Sequence, residues 1–141
     1  MILYCDSSAL VKLYVDEAGS ARIHVAVAEA MALATCRISW AETHAAFSRR
    51  VREVPEDLAA IELARQALAG DWPRFVVLEV TQPLVERAAE YADAFALRGY
   101  DSVQLAAAKL ASETIGEPCG FACFDDRLGK AARLLGLALV A

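Results

Sequence analysis

The chain has no run approaching the ~20 consecutive apolar residues that cross a bilayer, although 57% of its 141 residues are hydrophobic. Asp6 and Lys12 interrupt what would have to be the apolar stretch of a leader peptide, so a cytoplasmic location is expected. Histidine is nearly missing: His24 and His44 stand alone, and neither reads as a metal ligand. Cys5, Cys36, Cys119 and Cys123 lack the paired C-x-x-C spacing of a zinc site. Three of them lie in apolar, strand-like segments, where reduced thiols act as small hydrophobes. A basic excess is missing too. The formal net charge of −5 argues against a protein that coats nucleic acid through many Lys and Arg contacts, but not against an enzyme with a basic rim. Repeats, low-complexity tracts and linkers are also missing, and the length suits a single domain over residues 1–141.

What is present is alternation. Apolar strand-like runs (Ile2 to Cys5, Leu33 to Cys36, Phe75 to Leu78, Gly120 to Phe124, Leu137 to Val140) alternate with helical patterns, which predicts an α/β fold with a small parallel sheet of about four to five strands flanked by helices. The helices are expected from Ser8 to Val15, through Ile23, Val27, Ala30 and Met31, from Ser39 to Arg52, from Pro55 to Gly70, from a Thr81 cap to Gly99, from Asp101 onward, and from Arg127 to Leu135.

Four acids fall at the junctions. Asp6 follows the first strand, Glu42 lies just inside the third helix, Asp101 opens a later helix, and Asp125 follows Phe121-Ala122-Cys123-Phe124. Carboxyl ends of parallel strands are where such sheets gather ligands. Each acid also fits a helix-start role. Ser39-Trp40-Ala41-Glu42 matches a capping box, Asp101 with Gln104 is a looser version, and Asp6 and Asp125 or Asp126 can cap the helices that begin beside them. Taken jointly, carboxylates within about 4–6 Å of each other require raised pKa values or a cation. An oxygen-only donor set suits Mg²⁺ or Mn²⁺, which can polarise a phosphodiester without a side-chain nucleophile. Ser8 is placed either to orient a carboxylate or to cap the first helix. A D-x-D phosphatase is excluded by Ser8 at the second Asp position, and a receiver-like phosphoacceptor lacks its lysine after the later strand.

The segments Leu3-Tyr4-Cys5-Asp6-Ser7-Ser8-Ala9-Leu10, Ile38-Ser39-Trp40-Ala41-Glu42, Leu97-Arg98-Gly99-Tyr100-Asp101-Ser102-Val103-Gln104 and Phe124-Asp125-Asp126-Arg127-Leu128, in this order and spacing, resemble PIN-domain proteins. Within that family they are similar to the VapC-type ribonuclease toxins of bacterial toxin–antitoxin pairs. The resemblance covers nearly the whole chain. It implies a PIN-like fold and an endoribonuclease that uses Mg²⁺ or Mn²⁺, with Asp6 and Asp101 as principal metal-binding acids. Glu42 and Asp125 would complete the cluster, and Ser8 would be an accessory polar group. It further implies a homodimer held inactive by a cognate VapB-like antitoxin. Two positions depart from the family pattern: Cys123 stands where Thr or Ser is frequent, and Gln104 where His or Asn is. A non-catalytic PIN-like module that binds RNA or protein is the alternative.

Around these acids, Arg127, Lys130 and Arg133 recur every third residue on the last helix, a basic stripe placed for RNA phosphates or an ordinary solvated face. Arg49, Arg50 and Arg52 close the third helix, where cations are favoured whether or not RNA binds. Val25, Val27 and Met31, with Leu58, Ile61, Leu63 and Leu68, are expected to form an apolar groove for an antitoxin segment or a second copy.

Overall fold

The computed structural model describes residues 1–140. Five strands, β1 (Ile2–Cys5), β2 (Ala32–Cys36), β3 (Val76–Leu78), β4 (Gly120–Ala122) and β5 (Ala138–Leu139), form one parallel sheet in the order β3-β2-β1-β4-β5. Parallel neighbours need crossovers, and the helices supply them: α1 (Ser7–Tyr14), α2 (Ser20–Glu29), α3 (Ser39–Glu53), α4 (Leu58–Asp71), α5 (Gln82–Phe95), α6 (Gly99–Ile115) and α7 (Asp126–Leu134). The chain runs outward from β1 to β3, then returns to the other side of β1 for β4 and β5. The order therefore reverses between β1 and β4. That reversal opens a crevice at the carboxyl ends of those two strands, and Asp6 and Asp125 follow them in sequence.

Strand alternation divides the core. Tyr4, Ala34, Cys36 and Phe121 point to one face and pack with α5, α6 and α7; the Tyr4 and Phe121 rings stack with centroids 5.8 Å apart. Leu3, Cys5, Leu33 and Ala122 point to the other face, against Leu10 of α1 and Ile23 of α2. Phe47, Ile61, Ala64 and Leu68 seal α3 against α4. Ala106, Ala107, Ala108 and Ala111 are buried along α6, and these short side chains let α6 lie close to its neighbours. All four cysteines are free and buried, Cys119 as well as the three in strand-like segments. No helix among the described residues is long and apolar enough to cross a membrane.

Several boundaries differ from the sequence pattern, each for a local reason. α2 ends at Glu29, leaving Met31 84% exposed, because the Met31 N–H turns to the Met1 carbonyl. Pro55 starts a 3₁₀ turn (Pro55–Asp57) ahead of α4, and Gly70 lies inside α4 with open space beside it. Gly99 does not close α5. Ala96 takes the left-handed conformation there (φ 54°), and Gly99 begins α6. The expected groove between the second and fourth helices does not form as such. Ile61 and Leu68 are in the core, and the cleft beside α2 is lined instead by Met1, Leu3, Val25 and Val140.

Candidate acidic active site

Asp6 leaves β1 in extended conformation and folds back over the start of α1. Its Oδ1 accepts the Ala9 N–H at 3.0 Å and the Ser8 hydroxyl at 2.6 Å, while Oδ2 accepts no hydrogen bond among the described residues. Ser8 is therefore not the cap; Asp6 is. The Ser8 hydroxyl also accepts the Phe124 N–H at 3.2 Å, so one side chain ties the end of β1 to the segment leaving β4. Only 4% of Asp6 is exposed. Burial pushes its carboxyl up to about 7, against the pull of its two hydrogen bonds, and the negative charges of Asp101 and Glu42 add to the rise.

Glu42 lies in the first turn of α3, but the capping-box arrangement is absent. Ser39 is the first helical residue, and its hydroxyl faces inward to Thr35 (2.8 Å) and Gln104 (3.0 Å). Glu42 Oε1 instead accepts the Gln104 Nε2–H at 2.7 Å. Burial and the Asp101 charge raise the Glu42 pKa, while the Gln104 amide and the Ser7 hydroxyl hold it back. Gln104 is itself fixed, because its Oε1 accepts the hydroxyl of fully buried Tyr4 at 2.6 Å. Thr35 completes the support by donating to the Cys5 carbonyl at 2.8 Å. A buried polar network thus holds Glu42 and the end of β1 in fixed relation, with its donors matched to acceptors.

Asp101 is in the first turn of α6 and does not cap it; the N-cap position is Arg98. Asp125 does cap α7, accepting the Leu128 N–H at 2.8 Å. Arg98 joins these two acids: its Nε lies 3.4 Å from Asp101 Oδ2, and its Nη2 3.9 Å from Asp125 Oδ2. Asp126, exposed one residue later, shares no such cation among the described residues. The charges of Asp101 and Glu42 both reach Asp6, that of Asp101 reaches Glu42, and Arg98 links Asp125 to Asp101. As the side chains stand, no three acid, His or Cys groups among the described residues close around one point. Cys123 also sits beside the acids. Its thiol contacts the Asp125 carbonyl at 3.6 Å and is pushed up to about 12 by burial and the neighbouring acids.

The basic stripe is divided. Arg127 donates to the Ala96 carbonyl at 3.0 Å and so pins the turn between α5 and α6. Lys130 and Arg133 line a second cleft with Arg22, Phe124 and Asp126, which meets the acidic site at Asp125. Arg49 is not at the helix terminus. α3 runs on to Glu53, and Arg49 faces the cleft that also contains Glu42 and Asp101. Sequence reading did not find the supporting roles of Tyr4, Thr35 and Gln104, or the bridging role of Arg98. The only visible signal was Gln104 three residues after Asp101, on the same side of a helix.

Comparison with known proteins agrees with this architecture. The family model described as PIN domain matches residues 3–134, and the chain belongs to the PIN-domain family. The chain is 33% identical over 140 residues to two proteins of Mycobacterium tuberculosis, Ribonuclease VapC45 and Ribonuclease VapC49, the match covering 96% of this chain and 92% of each relative. Among solved structures, the sarcin-ricin loop cleaving toxin VapC20 of M. tuberculosis superposes with a TM-score of 0.64 at 19% identity, covering 92% of this chain and 94% of that one. The protein PAE2754 of Pyrobaculum aerophilum superposes with a TM-score of 0.62 at 20% identity, covering 96% and 88%.

Proposed function

We propose that this chain is a VapC-like endoribonuclease toxin that hydrolyses RNA phosphodiester bonds with Mg²⁺ or Mn²⁺. Support for the metal site comes from the buried Asp6 carboxyl at the end of β1, which feels the negative charges of both Asp101 and Glu42. There burial and like charge force a carboxylate up to about 7. Their donors are all hard oxygens, which suit Mg²⁺ or Mn²⁺ better than zinc, and any divalent cation would relieve their mutual repulsion. Asp6, Asp101 and Glu42 would hold it, with Asp125 at the rim. When bound, the cation supplies Lewis-acid polarisation of the phosphodiester and a lowered water pKa.

The remaining work falls to the chain. Ser8 and the Ala9 N–H engage Asp6 Oδ1 and so would leave Oδ2 for the cation. Gln104 holds the Glu42 carboxylate at one oxygen, which limits its rotation. Asp125, fixed as the α7 cap by the Leu128 N–H, would orient groups at the edge of the cluster. Restraint by a VapB-like antitoxin, and assembly as a homodimer, belong to the same proposal. Its support is the 33% identity to ribonucleases named VapC over most of both chains.

The test is digestion of total RNA by purified protein, with Mn²⁺ or with EDTA, alongside calorimetric Mn²⁺ titration. Cleavage only with the cation, together with Mn²⁺ uptake lost in Asp101→Asn, is the expected result. Intact RNA and no Mn²⁺ uptake would leave only a binding module.

A further inference from the structure

Beside the acids lies a cleft of about 840 Å³ whose far wall is α5. Ala88, Ala89 and Ala92 face it there, and such small side chains leave room for a flat ring. Tyr100 also lines it, 63% exposed, belonging to no core cluster among the described residues and directly preceding Asp101. Two guanidiniums border the same cleft. Arg49 forms no ion pair among the described residues, and Arg98 is 85% exposed on long contacts to Asp101 and Asp125. Such exposed contacts are worth little, so a phosphate can replace them once the acids are neutralised.

Resting on the ribonuclease reading, we propose that this cleft is the nucleotide subsite. A base of an unpaired RNA strand stacks on Tyr100, and Arg49 and Arg98 hold the phosphates beside it. Stacking on an exposed ring requires a base splayed out of a helix, so the subsite selects single-stranded segments. The Tyr100 ring belongs to no core cluster among the described residues, and once a cation neutralises Glu42 and Asp101 the remaining charges of the cleft, Arg49 and Arg98, favour a polyanion over an apolar peptide. Arg98 thereby has two states, bridging the acids in the free protein and holding phosphate in the complex.

The test uses the full chain and a fluorescein-labelled single-stranded 12-mer oligoribonucleotide of mixed sequence. Anisotropy is read with Ca²⁺ present, and probe integrity is checked afterwards. Tyr100→Ala should weaken binding about 5- to 100-fold, and Tyr100→Phe or Tyr100→Trp should stay within about twofold of the parent. Arg49→Ala and Arg98→Ala should each lower the slope of log affinity against log salt by about 0.7. A fully paired 12-mer should bind no better to the parent than to Tyr100→Ala. Unchanged binding by Tyr100→Ala overturns the subsite, as do a loss that Tyr100→Phe fails to rescue and a parent that binds no probe. A Tyr100→Ala effect confined to self-association, read by sedimentation, overturns it in favour of a second copy covering the cleft. The two readings separate by cleavage: a parent that binds as described but leaves RNA intact with Mn²⁺ defeats the nuclease alone. Cleavage unaffected by Tyr100→Ala defeats the subsite alone.

Discussion

Gln104 donates to Glu42 at 2.7 Å while accepting from Tyr4 at 2.6 Å, so one buried amide links the central strand to a carboxylate 62 residues away in the chain. Gln104→Leu should strand the Tyr4 hydroxyl, and leaving a buried donor unsatisfied costs about 1–3 kcal/mol. Tyr4→Phe removes the stranded group, so the double variant Tyr4→Phe/Gln104→Leu should be less destabilised than the sum of the two singles. Urea unfolding of the three variants measures the coupling. Additive losses would show that the two side chains do not share a bond.

Asp6 makes the metal-free protein less stable as pH rises. Its carboxyl titrates near 7 when folded and near the ordinary carboxylate value when unfolded. Between about pH 4 and 7 the folded state therefore holds a proton that the unfolded state has lost. Its contribution is full below the unfolded pKa and disappears as pH climbs through 7, falling by about 1.4 kcal/mol per pH unit across that window. The difference in unfolding free energy between the parent and Asp6→Asn isolates this effect from other titrations. With EDTA present, it should shift in favour of Asp6→Asn up to about pH 7 and then level off. A difference that is flat with pH would mean that Asp6 titrates normally.

The same proton governs cation uptake. If Mg²⁺ or Mn²⁺ binds ionised Asp6, Mn²⁺ affinity should increase up to about tenfold per pH unit below 7 and flatten above it. Calorimetry at pH 5.5, 6.5 and 7.5 reads this directly. Stripping Mn²⁺ with EDTA should lower the melting temperature at pH 8 more than at pH 6, because binding to the folded state alone stabilises it.

Gly19 sits in the left-handed region (φ 93°), and a Cβ there would come within 2.6 Å of the Phe124 ring. Phe124 immediately precedes Asp125 and lies under the Lys12 ammonium, 4.6 Å from the ring centroid. Gly19→Ala should cost about 1–3 kcal/mol through backbone strain and ring displacement. Thermal unfolding measures it. Ala96→Gly, at the other left-handed position, should be neutral or mildly stabilising.

How much of this is legible in the sequence depends on whether the cause is local. The strand-then-acid pattern at Asp6 and Asp125 is visible because strand ends and helix starts are local signals. Their shared crevice emerges only from a parallel order with β1 at its centre. Ser39 and Glu42 match a capping box by spacing, and tertiary packing overrides it: Ser39 turns inward to Thr35 and Gln104 instead. The Tyr4–Gln104 bond spans 100 residues and has no local signature. Gly99 reads as a helix stop, but Ala96 takes the left-handed position that glycine usually fills. That choice shifts the turn and leaves Arg98 at the start of α6, where it reaches both acids.

The most direct measurement is RNA cleavage with mapped ends by the parent, Asp6→Asn and Asp101→Asn in the presence of Mn²⁺. The amide oxygen of Asp6→Asn can still accept the Ser8 and Ala9 bonds, so a correctly folded variant is expected from its circular dichroism. The parent should cut RNA at discrete sites, and both variants should lose detectable cleavage while melting cooperatively. Undiminished, Mn²⁺-dependent cutting by folded Asp6→Asn would contradict the assignment of these carboxylates as the catalytic centre.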